Sequence, residues 1–218
     1  MTTVAEIVER REIKQVLHFT TNRGLTGILG KGEVLPRSLL PEDKYLEHVY
    51  QPNADTRKDR AWLGYVNLSI SRINTEFFGH SSRWHAHEDV WWCALAFDPA
   101  ILSDEGVYFA TTNNMYSGCT RALGPEGLEA LFEDPVHRYL SEYARRTEDM
   151  GDELTTCHQA EALYPGPLSL DRLLKVYVAT GPHADVARSS CAMLLGSDET
   201  SDQKRTVPVL IDAQVFEP

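Results

Sequence analysis

The sequence predicts an α+β fold, and three observations support this prediction. Strand-like and helix-like segments do not alternate regularly along the chain. Residues 65–71 alternate apolar with polar side chains, which is the period of a half-buried strand. Residues 125–146 instead repeat apolar side chains at helical spacing. No repeat or linker divides the sequence, so we expect one domain over residues 1–218.

The 218-residue chain has the composition of a soluble globular protein, with 42% hydrophobic and 24% charged residues. No apolar run approaches the roughly 20 residues that a membrane-spanning helix needs. Residues 1–11 lack the apolar core of a signal peptide. We therefore expect a cytoplasmic protein with no membrane partner.

The formal net charge of −11 bears on the choice of partner. Nucleic-acid phosphates favour clustered Lys and Arg, so an acidic chain weighs against DNA or RNA. The argument is weak, because net charge averages over the whole surface and a local basic groove can persist. Nucleic acid therefore stays open as a partner.

The first half of the chain is expected to contain a short helix within residues 5–15 and a strand over residues 16–20. Apolar residues at helical spacing follow at 25–29, and Gly30 and Gly32 are expected to end that helix. The polar stretch 41–60 is predicted as loop or broken helix. Further strands are expected over residues 62–71, 90–97 and 107–110, with a turn at 98–102.

The second half contains the clearest helical pattern, over residues 125–146. Pro135 is expected to divide it into two helices, because proline lacks a backbone N–H. The helix before Pro135 would present one apolar face, and the helix after it another. These faces comprise Leu128, Leu131 and Phe132, and then Val136, Tyr139, Leu140 and Tyr143. Strands are expected over residues 160–164, 174–179 and 207–215.

The familiar nucleotide and hydrolase motifs are absent from the sequence. It contains no G-x-x-x-x-G-K-[ST] loop, no G-x-G-x-x-G after a strand and no G-x-S-x-G elbow. A P-loop, a Rossmann site and an α/β-hydrolase are therefore not expected.

The sequence offers no convincing metal site. In His85-Ala86-His87-Glu88 a strand would direct both histidines to one side, where they could reach one ion. No third ligand stands at a recognised spacing, so solvated histidines are expected. The cysteines are widely spaced without a C-x-x-C pair, and buried thiols are expected there. They are Cys93, Cys119, Cys157 and Cys191.

His18 and Thr20 lie two residues apart on a predicted strand, so they face the same side. Phe19 would then face the opposite side, into the core. A His/Thr pair on a sheet face can hydrogen-bond ribose hydroxyls and a carboxamide. The alternative is that both side chains are satisfied inside the sheet.

Ser69, Ser71 and Arg72 lie at the end of the strand predicted over residues 62–71. The serine hydroxyls could hold an adjacent strand or a catalytic carboxylate. The Arg72 guanidinium matches phosphate geometry and could neutralise a pyrophosphate. A surface arginine is the alternative.

Glu161 lies between Ala160 and Ala162, at the start of a predicted strand. A carboxylate that binds a ribose 2′-hydroxyl can stabilise the positive charge that develops when the nicotinamide–ribose bond breaks. It can also orient or deprotonate an incoming nucleophile. A surface glutamate on an edge strand is the alternative.

These segments, in this order, resemble the DarT-type DNA ADP-ribosyltransferase toxins. His18-Phe19-Thr20 and the following helix and glycine resemble the opening of that family. Residues 65–72 resemble its next strand, with the catalytic arginine close behind. Gln159-Ala160-Glu161, followed by an apolar segment, resembles the stretch with the catalytic glutamate. The similarity runs from Leu17 to about Val178.

The resemblance implies an ADP-ribosyltransferase-like fold, in which two small, mostly antiparallel sheets with flanking helices surround a cleft for NAD. It assigns Glu161 and Arg72 to catalysis, with Arg57 and Arg60 competing for the arginine role. Its NAD-binding residues would be His18, Phe19, Thr20, Asn22, Ser69 and Ser71. The spacing of Asn22 differs from that of the family's asparagine.

The resemblance also implies a function. NAD would be the co-substrate, and ADP-ribose would be attached to a nucleobase in single-stranded DNA. The enzyme would be the toxin of a toxin–antitoxin or anti-phage system, with an antitoxin that carries a macrodomain. Two alternatives remain: the same fold acting on RNA, protein or a small molecule, and an inactive binding module.

Overall fold

The structure, a computed structural model, describes residues 2–40, 60–84, 89–195 and 206–217. Most of the loop expected over residues 41–60 lies outside these ranges. The same is true of Arg57 and of the segment His85-Ala86-His87-Glu88.

Five helices occur in the described part of the chain. Helix α2 ends at Gly32, whose φ of 73° is a left-handed conformation that glycine adopts without steric cost. Gly30 lies inside this helix, so the expectation that it ends the helix is wrong. None of the five has the length and apolarity that crossing a membrane requires. They are α1 (Val4–Arg10), α2 (Asn22–Lys31), α3 (Thr75–Trp84), α4 (Gly124–Ala130) and α5 (Gly181–Leu194).

Twelve strands are assigned within the same residues. Eight form the main sheet and four form two short antiparallel pairs. The strands of the main sheet are β1 (Val16–Thr21), β3 (Tyr65–Ile70), β4 (Trp92–Phe97), β5 (Tyr108–Ala110), β6 (Arg121–Leu123), β9 (Glu161–Pro165), β11 (Leu173–Val178) and β12 (Val209–Ile211). The short pairs are β2 (Glu33–Val34) with β10 (Leu168–Ser169), and β7 (Val136–His137) with β8 (Tyr143–Ala144).

The main sheet has the order β12-β11-β4-β1-β3-β9-β5-β6. Only β11 and β12 are parallel, and the other neighbours are antiparallel. The strands β1 and β3 at its middle are joined by just two residue pairs. The sheet is therefore two four-stranded halves connected at one corner, in agreement with the expected mostly antiparallel halves.

The main core lies on one face of this sheet. Buried residues of α1, α2, α4 and α5 pack there against Val16 and the apolar positions of β3, β4 and β9. Helix α3 and the C-terminal residues 213–216 cover part of the opposite face, where Leu17 and Phe78 belong to a smaller cluster. Trp62, Tyr65 and Tyr108 pack on that face at the other half of the sheet.

The expectation of two helices over residues 125–146 is wrong after Ala130. Leu128, Leu131 and Phe132 are buried in the core as predicted, but α4 ends with Ala130. Pro135 cannot donate a helical hydrogen bond, and the chain beyond it forms the β7–β8 hairpin. Of the second apolar group only Val136 is buried, while Tyr139, Leu140 and Tyr143 are exposed.

Two helices were not expected from the sequence, α3 and α5. Helix α3 contains Gly79, Ser81 and Ser82, which have modest helix propensity. Asn74 accepts a hydrogen bond from the Phe77 amide at 3.0 Å and so stabilises its first turn. The strand expected over residues 207–215 is limited to β12, and a short 3₁₀ helix follows it.

Candidate active site

The main sheet opens between β1 and β3. The two strands pair at Val16–Ile70 and Leu17–Ser69 and no further, whereas β1 stays paired with β4 over all six residues. From residue 18 onward, β1 therefore leaves β3 and a gap separates the two halves of the sheet. The backbone groups that face this gap need other hydrogen-bond partners.

His18 lies where the gap begins. Its Nδ1 donates a hydrogen bond to the carbonyl oxygen of Asn67 on β3, at 3.1 Å. Since Nδ1 carries the proton, Nε2 of the neutral ring remains a hydrogen-bond acceptor. Burial lowers the pKa of His18, and the bond to Asn67 opposes this only in part. The ring is therefore neutral near pH 7.

Thr20 shares its face of β1 with His18, as the strand period predicts. The first turn of α2 lies directly on it, because a Cβ placed on Gly24 would stand 2.1 Å from Thr20 Oγ1. The neighbouring Thr21 caps α2 by accepting a hydrogen bond from the Gly24 amide at 3.2 Å. Thr20 is thus enclosed between the strand and the helix.

Phe19 faces the opposite side of β1, which confirms the predicted orientation. Its ring centroid lies 6.0 Å from that of Phe77, 5.6 Å from that of Phe78 and 5.8 Å from that of Trp92. Such tilted and edge-on contacts are typical of aromatic packing. In this structure Phe19 joins the strand to α3.

Asn22 begins α2, and its side-chain amide binds the segment before β4. Nδ2 donates to the carbonyl oxygen of Asp89 at 2.9 Å, and Oδ1 accepts from the amide of Trp91 at 3.3 Å. The side chain therefore has a structural role, and its assignment to NAD binding stays a prediction.

Glu161 belongs to a row of side chains that crosses the second half of the sheet. The strand register sets Arg121 of β6 and Glu161 of β9 on either side of Ala110 of β5. Extending the β3–β9 register by one residue beyond Leu68–Ala162 places Ser69 beside Glu161. Because cross-strand neighbours share a face, the buried Ser69 lies where the sequence suggested a serine could support the carboxylate.

The carboxylate of Glu161 accepts a hydrogen bond at Oε2 from the backbone amide of Asn114, at 3.4 Å. Asn114 is buried in the loop between β5 and β6. Arg121 holds this residue, because its Nε donates to Oδ1 of Asn114 and its Nη2 to the carbonyl oxygen of Asn114. A third bond runs from Nη1 to the carbonyl oxygen of Cys119, at 3.2 Å.

Arg72 and Ser71 lie at the joined end of β1 and β3. Ser71 has a φ of 61°, and its buried hydroxyl has no hydrogen-bond partner among the described residues. Arg72 is exposed and lines a small pocket with Leu154 and His158. His158 lies three residues before Glu161, so Arg72 lies beside the segment that leads into β9, the strand that begins with Glu161.

His158 is itself fixed to the far side of this pocket. Its Nε2 donates to Oε2 of Glu76 on α3 at 2.7 Å, and Nη2 of Arg138 donates to the same oxygen at 3.3 Å. The hydrogen bond from His158 lowers the pKa of Glu76, and the charges of His158 and Arg138 act in the same direction. One carboxylate thus connects α3, the β7–β8 hairpin and the segment leading to Glu161.

The predicted site residues therefore form two groups separated by β3. Ser69 and Glu161 lie on one face, and His18 and Thr20 on the face that carries the main core. The strands β1 and β9 flank β3, so β3 separates His18 from Glu161 in the strand order, and the two side chains extend from opposite faces of the sheet. The side chains of Arg57 and Arg60, the competing arginines, lie outside the described residues.

Asn114 and Arg121 were not identified from the sequence. In the sequence, residues 111–118 form only a polar stretch after the strand predicted over residues 107–110. Their bonds join a loop to a strand, and such pairing produces no period of 2 or 3.6 residues. An arginine directly after a cysteine- and glycine-containing loop is the one signal the sequence offers.

A family model matches residues 17–210, and its description is ssDNA thymidine ADP-ribosyltransferase, DarT. A search of curated proteins found no match.

Several solved structures resemble the chain. DarT from Thermus sp. 2.9 in complex with NAD⁺ has a TM-score of 0.62 and 13% identity, covering 94% of this chain and 98% of that one. The same protein in complex with ADP-ribosylated ssDNA has a TM-score of 0.60 and 14% identity, covering 94% of this chain and 97% of that one. Thermosipho africanus DarTG in complex with ADP-ribose has a TM-score of 0.59 and 12% identity, and the match covers 93% of this chain. The chain spans about half of that protein, 51%. At these identities the likeness establishes a shared fold.

Proposed function

The chain belongs to the DarT family of ssDNA thymidine ADP-ribosyltransferases, and from this membership we propose that it transfers ADP-ribose from NAD⁺ to a thymine base in single-stranded DNA. The relatives of known structure include complexes with NAD⁺ and with ADP-ribosylated ssDNA, which supports this choice of substrates. The observation that carries the proposal is the placement of Glu161. It lies in a strand beside Ser69, receives a backbone N–H, and stands two strands away from His18.

Glu161 is the catalytic carboxylate in this proposal. As the bond between nicotinamide and ribose lengthens, positive charge develops at the anomeric carbon. A carboxylate already held by Asn114 stabilises that charge without having to reorganise. The nicotinamide leaves, and a thymine nitrogen attacks the exposed carbon. Glu161 can also accept the proton that this nitrogen gives up.

His18 and Thr20 are proposed to hold the nicotinamide half of NAD⁺. The bond from Nδ1 to Asn67 fixes the ring and leaves Nε2 as an acceptor for a ribose hydroxyl or a carboxamide N–H. A neutral ring suits this role, because a cationic imidazolium would repel the positively charged nicotinamide ring of NAD⁺. The site is proposed to be completed by Phe19, Asn22, Ser69 and Ser71. Asn22 would act through the backbone segment that it binds before β4, and Ser69 through the Glu161 carboxylate beside it.

Arg72 is proposed as the arginine that binds the phosphates of NAD⁺ or of DNA. Its guanidinium is exposed beside the segment that leads into β9, and no acceptor for it occurs among the described residues. Arg57 and Arg60 remain candidates for the same role. Single Arg→Gln variants at the three positions distinguish them, since the functional arginine is the one whose loss raises the KM for NAD⁺ or lowers kcat most.

We also propose that the protein is a single-domain cytoplasmic toxin, whose effect a macrodomain-containing antitoxin reverses. The likeness to DarTG supports an antitoxin partner, because the match covers only 51% of that chain and DarTG therefore has a further part with no counterpart in the match. Expression in bacteria tests this proposal. Wild-type protein should arrest growth, Glu161→Gln should not, and co-expression of a macrodomain ADP-ribosyl hydrolase should restore growth. Equal toxicity of wild type and Glu161→Gln would contradict it.

The direct test of the activity uses NAD⁺ labelled on its adenylate half and separate pools of single-stranded DNA, duplex DNA, RNA and protein. Label should pass to single-stranded DNA that contains thymine, and an otherwise identical strand without thymine should stay unlabelled. Preferential labelling of RNA or protein would assign the chain to the alternative target class. Nicotinamide release in no pool would favour a binding module.

A further inference from the structure

We propose that Arg121 is a positioning residue for the catalytic carboxylate, acting on Glu161 through Asn114. The inference rests on the proposed role of Glu161 in ADP-ribose transfer. Arg121 belongs neither to the sequence motifs described above nor to β9, the strand that carries Glu161.

The first step of the argument is the way Arg121 binds one residue of the loop. Its Nε and Nη2 donate to Oδ1 and to the carbonyl oxygen of Asn114. Because both acceptors belong to the same residue, the rigid guanidinium fixes the side chain and the backbone of Asn114 together. The bond from Nη1 to Cys119 holds the other end of the loop.

The second step is that the backbone of Asn114 bears on Glu161. The peptide N–H of Asn114 points at Oε2 of Glu161, with 3.4 Å between nitrogen and oxygen. A backbone donor aimed at a carboxylate fixes its rotamer only if the peptide itself is fixed. The loop 111–118 contains no regular helix or strand, so its shape depends on side-chain bonds of the kind Arg121 makes.

The third step concerns the place of Arg121 in the sheet. It lies in the same cross-strand row as Glu161, with Ala110 between them. The small side chain of Ala110 leaves room for both longer side chains above the strand between them. Arg121 is therefore anchored on β6, while its guanidinium reaches the loop that contacts the carboxylate. In this geometry Arg121 positions Glu161 through Asn114 and does not act by contacting the substrate.

The test compares Arg121→Gln with Arg146→Gln, a matched control. Arg146 is also a loop-closing arginine, with bonds to the carbonyl oxygens of Leu154 and Gly151 at 2.7 and 2.8 Å. Arg121→Gln should lower kcat for ADP-ribose transfer by roughly 10- to 100-fold with the KM for NAD⁺ changed less than about threefold, the effect of a carboxylate misplaced by a fraction of an ångström. Arg146→Gln should cost thermal stability but keep kcat within about twofold.

Arg121→Lys keeps the charge but lacks the planar fork, so it should stay at least about fivefold below wild type. Full activity of Arg121→Lys, wild-type kcat in Arg121→Gln, or an equal loss of kcat in Arg121→Gln and Arg146→Gln would each overturn the positioning role. A second readout does not depend on turnover. Amide hydrogen exchange at Asn114 should be at least about tenfold faster in folded Arg121→Gln than in wild type, and an unchanged rate would overturn the proposal.

The two proposals fail in different ways. If wild-type protein transfers no ADP-ribose, the proposed function is wrong, and the Asn114 exchange rate still decides whether Arg121 fixes the loop. If wild type is active and Glu161→Gln is inactive, the proposed function stands, and normal turnover by Arg121→Gln removes only the role of Arg121.

Discussion

Nδ1 of His18 donates a hydrogen bond to the carbonyl oxygen of Asn67 across the point at which β1 and β3 separate. A side chain thus replaces the strand pairing that the sheet gives up there. Opening a sheet leaves backbone groups without partners, and a histidine at the first unpaired position satisfies one of them. The same bond leaves the other ring nitrogen available to a ligand.

The first prediction concerns the pH dependence of stability. Burial lowers the pKa of His18, so below pH 6.5 the unfolded state binds a proton that the folded state does not. The free energy of unfolding should therefore fall as the pH is lowered from 6.5 towards 5. Urea unfolding of wild type and His18→Gln at several pH values measures this, and the slope should be shallower in the variant. Parallel curves would show that His18 titrates normally.

The second prediction concerns Glu161, the proposed catalytic carboxylate. Glu161→Ala should lower the rate of ADP-ribose transfer on the order of 10²- to 10⁴-fold, the range for one charge-stabilising or acid–base group. The fold should persist, because the Glu161 side chain is only partly buried. Glu126→Ala removes an exposed carboxylate from α4 and should keep full activity. Wild-type transfer by folded Glu161→Ala would remove Glu161 from the mechanism.

The third prediction compares two glycines of α2. A Cβ on Gly24 would stand 2.1 Å from Thr20 Oγ1, so Gly24→Ala should destabilise the protein by about 1–3 kcal/mol, as overpacking does. Gly27 has nothing within 4 Å of such an atom, and Gly27→Ala should stabilise the helix by up to about 1 kcal/mol. The Tm should fall in Gly24→Ala and rise in Gly27→Ala. A Gly24→Ala variant that melts at or above the wild-type Tm would contradict the tight contact. Gly24→Ala should also raise the KM for NAD⁺ if Thr20 binds it.

The fourth prediction concerns Glu76. Its pKa is lowered, first by the hydrogen bond from His158, so its contribution is complete above about pH 4.5 and is lost as the pH falls below that value. The side chain is 44% exposed, so solvent limits this contribution to at most about 1 kcal/mol. The difference in unfolding free energy between wild type and Glu76→Gln should shrink on acidification from pH 6 to pH 3.5. A difference that grows instead would rule out an ionised Glu76 as the acceptor.

Several elements were predictable because their signal is local. Strands β1, β3 and β4 follow from two-residue alternation or an apolar run, and the end of α2 follows from Gly32. The sequence does not predict helix α5, because its buried residues Ala184, Ala187 and Cys191 are small and give a weak apolar pattern. The sequence predicts a helix where the β7–β8 hairpin forms, because Val136, Tyr139, Leu140 and Tyr143 have helical spacing. In the structure three of these residues are exposed.

The sequence by itself determined the α+β class, the side of β1 on which His18 and Thr20 lie, and the order of motifs that resembles the DarT family. These properties depend on neighbouring residues or on their order, and both are present in a single chain. Only the tertiary structure decided that β1 leaves β3 after Leu17, that Ser69 lies beside Glu161, and that Arg121 is hydrogen-bonded to Asn114, whose backbone N–H donates to Glu161. The physical reason is that strand register and loop-to-strand hydrogen bonds join residues distant in sequence, and the alternation within each strand is the same whichever strand lies next to it.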